Sequence, residues 1–253
     1  MSKIALVIGY GSIGRKHAKI LKKLRFINDV FVLTSQKKIP FKKINSLEQI
    51  KTIDPFYIVI ASPTNKHFEQ LKFIEKNFSN KKILIEKPVF KKKRKIKIKK
   101  NKVFVGYNLR FLKIIEFIKK KIKKEKIIFC SSYCGYFLPN WRKNISYSSS
   151  YSSKKSQGGG VIFDLSHELD YLEMLFGNLK IINKVNKKIS NLKINSDDFL
   201  SLNASSPKAK IIHLNINYIS KKKIRTINIE TEKFGLYGDL IKNKLEIVTK
   251  KRK

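Results

Sequence analysis

Acid is scarce in this chain. Eighteen carboxylates stand against 57 basic side chains in 253 residues, for a formal net charge of +39. A surface neutralised by its own ion pairs is excluded, and self-repulsion opposes the compact state. An imbalance of this sign ordinarily raises nucleic acid or an anionic membrane as a partner. Arginine is scarce too: seven residues (15, 25, 94, 110, 142, 225, 252) against 50 lysines. Bidentate reading of bases and phosphates favours arginine. The lysines run along the whole chain among isoleucine and asparagine, so they read as drift on solvated faces, and no specific nucleic-acid partner is expected. A lysine-rich polyanion-binding protein is the alternative. Cysteine occurs twice, at Cys130 and Cys134. Four apart on an extended segment, the two stand about 13 Å apart at ~3.3 Å per residue, too far for a disulfide. Reduced thiols fit a cytoplasmic location. No uncharged stretch can span a bilayer, and the apolar run 4–8 is too short for a signal peptide. No metal ligand set is expected.

Strand and helix signals alternate through the first part of the chain. Apolar runs at 3–8, 30–33, 56–60, 82–85 and 103–105 read as strands. Residues 12–24 read as a helix with Ile13, His17, Ile20, Leu21 and Leu24 on one face. A short capped helix is expected at 46–50, and a longer one at 65–78. This alternation predicts a doubly wound parallel sheet over residues 1–106. Beyond it, a helix at 109–123 precedes a long strand at 127–137. Residues 143–157, rich in serine and tyrosine, read as a loop. A helix at 161–176 follows three glycines, and strand-like runs lie near 180–186, 198–204, 210–219, 223–231 and 244–249. Strands following strands predict a mainly antiparallel sheet. The fold class is therefore α/β: a Rossmann-type doubly wound sheet, then a smaller α+β domain over 107–253.

Two short motifs carry the chemistry. Gly9-Tyr10-Gly11-Ser12-Ile13-Gly14 lies between the first strand and the first helix. In a dinucleotide-binding turn, Gly9 permits the tight turn, Gly11 lets the backbone approach a pyrophosphate, and Gly14 allows close helix–strand packing. The amides of Ser12 and Ile13 would face the phosphates from a helix N-terminus. Glu86-Lys87-Pro88 follows the fourth apolar run and sets an ionisable lysine at the carboxyl end of the same sheet, where ligands of such sheets bind. The second strand ends in Thr34-Ser35-Gln36-Lys37, with no acid to hold a ribose 2′-hydroxyl. Hydroxyls followed by Lys37 and Lys38 suit a 2′-phosphate, which favours NADP over NAD. On the other reading, Thr34 or Ser35 serves either form and the lysines are drift.

In sequence order, Ile8–His17, Ile60-Ala61-Ser62-Pro63-Thr64-Asn65-Lys66-His67, Glu86-Lys87-Pro88 and Val105-Gly106-Tyr107-Asn108-Leu109-Arg110-Phe111 resemble the glucose-fructose oxidoreductase and inositol dehydrogenase family, Gfo/Idh/MocA. Phe137–Arg142 and Gly158–Asp170 resemble its members in bacterial surface-sugar pathways. The resemblance spans residue 3 to about 250. It implies an NAD(P)-dependent oxidoreductase that moves a hydride between a nicotinamide and a carbinol or keto carbon of a sugar or nucleotide-sugar. Ala61, Ser62, Pro63, Thr64 and His67 would line the nicotinamide ribose, and Glu86 would lie beside the nicotinamide. Lys87 would touch cofactor and substrate hydroxyl, while Asp164 and His167 would face the substrate. Asn108, Arg110, Trp141 and Arg142 complete the expected substrate side. A homo-oligomer through the second-domain sheet is expected.

Carbinol oxidation needs a base near the hydroxyl, and reduction needs the reverse proton donor. Lys87 and His167 take that role, with Asp164 expected on the same helix at i−3 to orient the imidazole. Asp164, Glu168, Asp170 and Glu173 put four acids within ten positions of a basic chain, which is not drift. His17 reads as a helix-packing residue and His213 as structural. Trp141-Arg142 reads equally as a ring-and-anion clamp or a loop anchor. The sequence departs from the family at three places. Residues 89–102 are short for a crossover helix, Asp164 and His167 are one residue closer than the usual spacing, and no closing helix precedes Lys253. A non-catalytic dinucleotide-binding relative is therefore a second alternative.

Overall fold

A computed structural model describes residues 3–142 and 146–249. The chain divides into two compact units, Met1–Gly106 and Tyr107–Lys253. The second is the larger, contrary to expectation, with seven strands against six. Residues 143–145, which open the expected serine-tyrosine loop, lie outside the described residues.

The first unit is built on six parallel strands. In chain order these are β1 (Ile4–Ile8), β2 (Asp29–Leu33), β3 (Lys42–Ile44), β4 (Tyr57–Ile60), β5 (Lys82–Ile85) and β6 (Lys102–Val105). Their spatial order is β3-β2-β1-β4-β5-β6, so the chain reverses direction of travel between β1 and β4. That is where open parallel sheets place their ligands. Helices α1 (Ser12–Lys23), α2 (Ile50–Ile53) and α3 (Thr64–Asn77) connect them. The central strands are buried on both faces: Leu6, Ile8, Ile58, Ile60, Ile83 and Ile85 build one core, and Ala5, Val7, Val30, Val32 and Val59 the other.

Two local expectations are corrected, and the short connection between β5 and β6 is as expected. The face of α1 that packs is Gly14, Ala18 and Leu21, while Ile13 and Ile20 are 39% and 58% exposed. Small residues set the face because a Cβ on Gly14 would sit 2.1 Å from Gly9 O. The short helix begins at Ile50 instead of Ser46. Gln49 Oε1 accepts the amides of Asn45 and Ser46 at 2.6 and 3.3 Å and holds a turn there. The β5–β6 connection contains no helix. Ile96 and Ile98 of this connection pack on the core between exposed Lys95, Lys97 and Lys99. Glu75 Oε1 pins it by accepting the amides of Lys99 and Lys100 at 2.7 and 2.8 Å.

The second unit opens with a 3-10 turn at Asn108–Phe111 and α4 (Lys113–Lys121), broken at Leu112, where one helix was expected. The strands that follow are β7 (Ile127–Gly135), β8 (Lys180–Lys187), β9 (Phe199–Ser205), β10 (Ala209–Asn217), β11 (Ile224–Thr231), β12 (Phe234–Asp239) and β13 (Lys244–Thr249). They lie in the order β13-β12-β11-β7-β10-β9-β8. Only β7 and β10 pair in parallel. The expected helix at 161–176 is two helices, α5 (Val161–Asp164) and α6 (His167–Phe176). Ser166 Oγ donates to Phe163 O at 3.2 Å, a local bond that competes with the helical ladder. Cys130 and Cys134 are free and face the core. Burial pushes the Cys134 thiol up to about 12. Among the described residues no helix is long and apolar enough to cross a membrane.

Candidate functional site

In the first unit, the turn after β1 is shaped by what it touches. Gly9 has φ +95°, and a Cβ there would meet the Ser62 backbone at 2.6 Å, so the loops after β1 and β4 abut. Gly9 and Gly14 are thus required by the protein itself. Gly11 is different: a Cβ there would meet nothing within 4 Å. It also caps α1 without a side-chain bond, leaving the amides of Ser12 and Ile13 at an uncapped helix N-terminus. Open space against unsatisfied amides is what a pyrophosphate requires, so these residues fit a dinucleotide.

The loop after β4 is held from behind. Ser62 Oγ donates to Gln70 Oε1 at 2.6 Å. His67 is 1% exposed, and its Nε2 and Nδ1 lie 2.8 Å from Ser62 O and 3.1 Å from Val89 O. It holds the Ala61–Thr64 loop and the chain after Pro88 together. After β5, Glu86 Oε1 accepts from His17 Nε2 at 2.8 Å, and Oε2 accepts from the Lys87 amide at 3.3 Å. Both side chains are largely buried. His17, read as a packing residue, is therefore the partner of Glu86. Gly106 closes over the same carboxylate, 3.0 Å from where its Cβ would be. Lys87 is half-buried, beside a cis bond to Pro88.

At the end of β2 the expected hydroxyls stand beside a cluster that sequence reading passed over. Thr34 Oγ1 accepts from the Gln36 amide at 3.2 Å. Gln36 Nε2 donates to Tyr10 O at 3.0 Å, and Gln36 Oε1 accepts from Arg15 at 3.3 Å. The Arg15 guanidinium lies over the Tyr10 ring at 5.4 Å. Ser35, Lys37 and Lys38 are exposed.

The second unit holds its candidates by mutual contact. Asp164, 5% exposed, accepts from Tyr151 and Tyr218, each at 2.6 Å. Burial, then the Asp164 charge, pushes both phenols well above their ordinary range, so both remain donors. Asp164 ends α5 and His167 begins α6, which corrects the expected shared helix face. The His167 ring meets Tyr107 edge-on at 5.5 Å. Arg110 grips Asp170 with two bonds of 2.6 Å, tying the Asn108–Phe111 turn to α6. Asn108 is exposed at the start of that turn. Trp141 behaves as a loop anchor: its Nε1 donates to Tyr136 O at 3.1 Å, and its ring stacks on Tyr136 and meets Tyr218 edge-on. Arg142 is exposed, over the Tyr151 ring at 5.3 Å. Glu168, 0% exposed, has Oε1 2.8 Å from Arg225 Nε on β11. Burial raises the Glu168 carboxyl above its usual range against the pull of Arg225.

No protein-family model matches the chain, and no curated protein matches it. Solved structures do. The WlbA dehydrogenase from Bordetella pertussis, in complex with NADH and UDP-GlcNAcA, is 14% identical with a TM-score of 0.81. The match covers 100% of this chain and 84% of that one. The UDP-N-acetylglucosamine 3-dehydrogenase GnnA from Acidithiobacillus ferrooxidans is 16% identical with a TM-score of 0.75, over 98% and 81%. A levoglucosan dehydrogenase in complex with NADH is 16% identical with a TM-score of 0.81, over 100% and 77%. At these identities the likeness is one of fold: this chain has the two-domain Gfo/Idh/MocA fold.

Proposed function

We propose that the chain is a nicotinamide-dependent oxidoreductase acting on a hydroxyl or keto carbon of a sugar or nucleotide-sugar. The observation that carries this reading is the uncapped turn at Gly11, open where a pyrophosphate would lie, beside Glu86-Lys87 on the same sheet edge. Gly11, Ser12 and Ile13 would hold the dinucleotide phosphates, and Ala61–Thr64 and Glu86 its nicotinamide end. The bound nicotinamide would supply or accept the hydride. Lys87 and His167 hold and move the hydroxyl proton, and Glu86, fixed by His17, orders the loop that carries Lys87. Asp164 holds Tyr151 and Tyr218 in place as part of the substrate wall. NADP is favoured, because no carboxylate follows β2. The compartment is reducing, in keeping with two free buried thiols. The chain assembles with a second copy through the outer face of the seven-stranded sheet, where Ser131, Tyr133, Ser201, Asn203, His213 and Asn215 carry no lysine.

The test is calorimetric titration with NADPH and NADH, then hydride transfer on UDP-N-acetylglucosamine and free sugars. Gly11→Val should abolish dinucleotide binding. Unchanged binding by that variant overturns the reading. A second reading, a non-catalytic dinucleotide binder, is favoured by one observation: Arg110 and Asp164 are already engaged within the protein. Tight dinucleotide binding without turnover on any sugar would select it.

A further inference from the structure

A cleft of about 500 Å³ lies in the second unit, between the serine-rich turns and the segment after β8. Lys154, Lys188 and Lys193 line it, together with Ser148, Ser153 and Asn195. The lysines come from two stretches of chain, Lys154 from the serine-rich turns and Lys188 and Lys193 from the connection between β8 and β9. No carboxylate lines the cleft, and none of the three makes an ion pair among the described residues. The two nearby acids are spent elsewhere. Asp198 accepts from Ile189 N, Ser190 N and Ser190 Oγ, and Asp197 accepts from Ile162 N.

The walls are stitched together. Asn195 N donates to Ser153 O at 3.0 Å, and Lys155 N donates to Asn195 Oδ1 at 2.9 Å. Ser196 Oγ donates to Ser152 O at 2.7 Å, and Lys193 N donates to Tyr147 OH at 3.3 Å. These bonds join the two segments that form its walls. Three lysines lining one open cleft with no carboxylate among them repel each other, and clustered charge of one sign attracts an anion. Lysine offers point-charge contacts to phosphate oxygens, and neighbouring hydroxyl and amide groups add directional donors.

We propose that this cleft is a binding site for a phosphate or diphosphate group. The ligand is either the diphosphate of a nucleotide-sugar or a free nucleotide. The nucleotide-sugar source rests on the proposed oxidoreductase reading, whereas pyrophosphate binding at the cleft does not.

The test is calorimetry at physiological salt with inorganic pyrophosphate, uridine diphosphate and UDP-N-acetylglucosamine. The parent is compared with the triple variant Lys154→Gln, Lys188→Gln, Lys193→Gln. A charge-matched control, Lys19→Gln, Lys119→Gln, Lys244→Gln, removes the same charge from surfaces outside the cleft. Pyrophosphate binding should weaken by about tenfold or more in the cleft variant and stay near the parent value in the control. Equal weakening in both variants, or no binding by the parent, overturns the site and returns the lysines to surface drift. Dinucleotide binding should be the same in all three proteins, so failure of the oxidoreductase reading would show separately. A raised KM for the nucleotide-sugar with unchanged KM for free sugar identifies the substrate's diphosphate. Lost pyrophosphate binding with both KM values unchanged identifies a free nucleotide.

Discussion

The two units use their polar residues in opposite ways. In the first, the groups that matter are backbone amides and an open turn. Gly11 has nothing within 4 Å of its missing side chain, and α1 begins without a side-chain cap. In the second, the candidate side chains already grip one another: Asp164 with Tyr151 and Tyr218, Arg110 with Asp170, Glu168 with Arg225. A site made of amides in a tight turn needs only a few adjacent residues. A site made of buried charges needs partners from distant strands to be tolerated at all. The first kind keeps its donors for a ligand, and the second spends many of them on its own architecture.

The sharpest way to break this comparison is to ask which unit limits turnover. Lys87→Ala and His167→Ala should each lower hydride transfer by about 10²–10⁴-fold, with dinucleotide affinity nearly unchanged. If only Lys87→Ala has that effect, the second unit positions the substrate and the proton belongs to the first. Steady-state kinetics with calorimetry on the same preparations decides it.

The buried pair of the second unit comes next. Removing Arg225 leaves the fully buried Glu168 without its cation. Arg225→Leu should cost about 3–5 kcal/mol of unfolding free energy, whereas Glu168→Gln should cost far less. The carboxyl of Glu168 is raised by burial, so the folded state holds its proton more tightly than the unfolded chain. Its stabilising contribution is full below the ordinary carboxylate value and is lost as pH rises through the raised value. Urea midpoints measured from acid to neutral pH should therefore fall more steeply in the parent than in Glu168→Gln. Parallel curves would remove Glu168 as the source.

The tyrosines on Asp164 are a smaller lever. Tyr151→Phe and Tyr218→Phe should each cost about 1.5–3 kcal/mol, the worth of a hydrogen bond to a charged group. The double variant should depart from additivity, because the two hydroxyls share one carboxylate. Additive losses in a double-mutant cycle would mean that each phenol is held by its packing.

The same difference governs what could be read from sequence. The runs Ile4–Ile8 and Lys82–Ile85 are legible as strands because burial on both faces demands unbroken apolar residues, and the glycine turn because its spacing is local. Lys42–Ile44 was missed because three residues, two of them lysine, carry no strand signal. Phe234–Asp239 was missed because Gly235 and Gly238 break its pattern. Asp164 and His167 read as one helix because periodicity cannot see the Ser166 hydroxyl turning back on Phe163 O. The bond of His17 to Glu86 crosses 69 residues. Only the histidine's place one turn beyond Gly14 hinted at it. Pairings of that range are absent from any local pattern, so the strands and the glycine turn were legible while the contacts between distant side chains were not.

The smallest expected effect tests the edge of the first unit. No carboxylate follows β2. Thr34 Oγ1 and the Gln36 amide are tied to each other, and Gln36 is tied to Tyr10 and Arg15. That leaves exposed Ser35, with Lys37 and Lys38 beyond it, as the position from which a side chain would meet the adenosine ribose in the proposed reading. An acid there would accept a 2′-hydroxyl and repel a 2′-phosphate. Ser35→Asp should therefore shift the ratio of NADH to NADPH affinity by about tenfold, or ~1.4 kcal/mol, without changing affinity for the shared diphosphate. Arg15→Gln should move the ratio in the same direction if the guanidinium over Tyr10 reaches the phosphate, and leave it fixed if the cation only packs on the ring. A parent that strongly prefers NADH would sink the phosphate reading and leave Lys37 and Lys38 as solvated drift, because two ammonium groups beside a 2′-phosphate cannot be neutral to its presence.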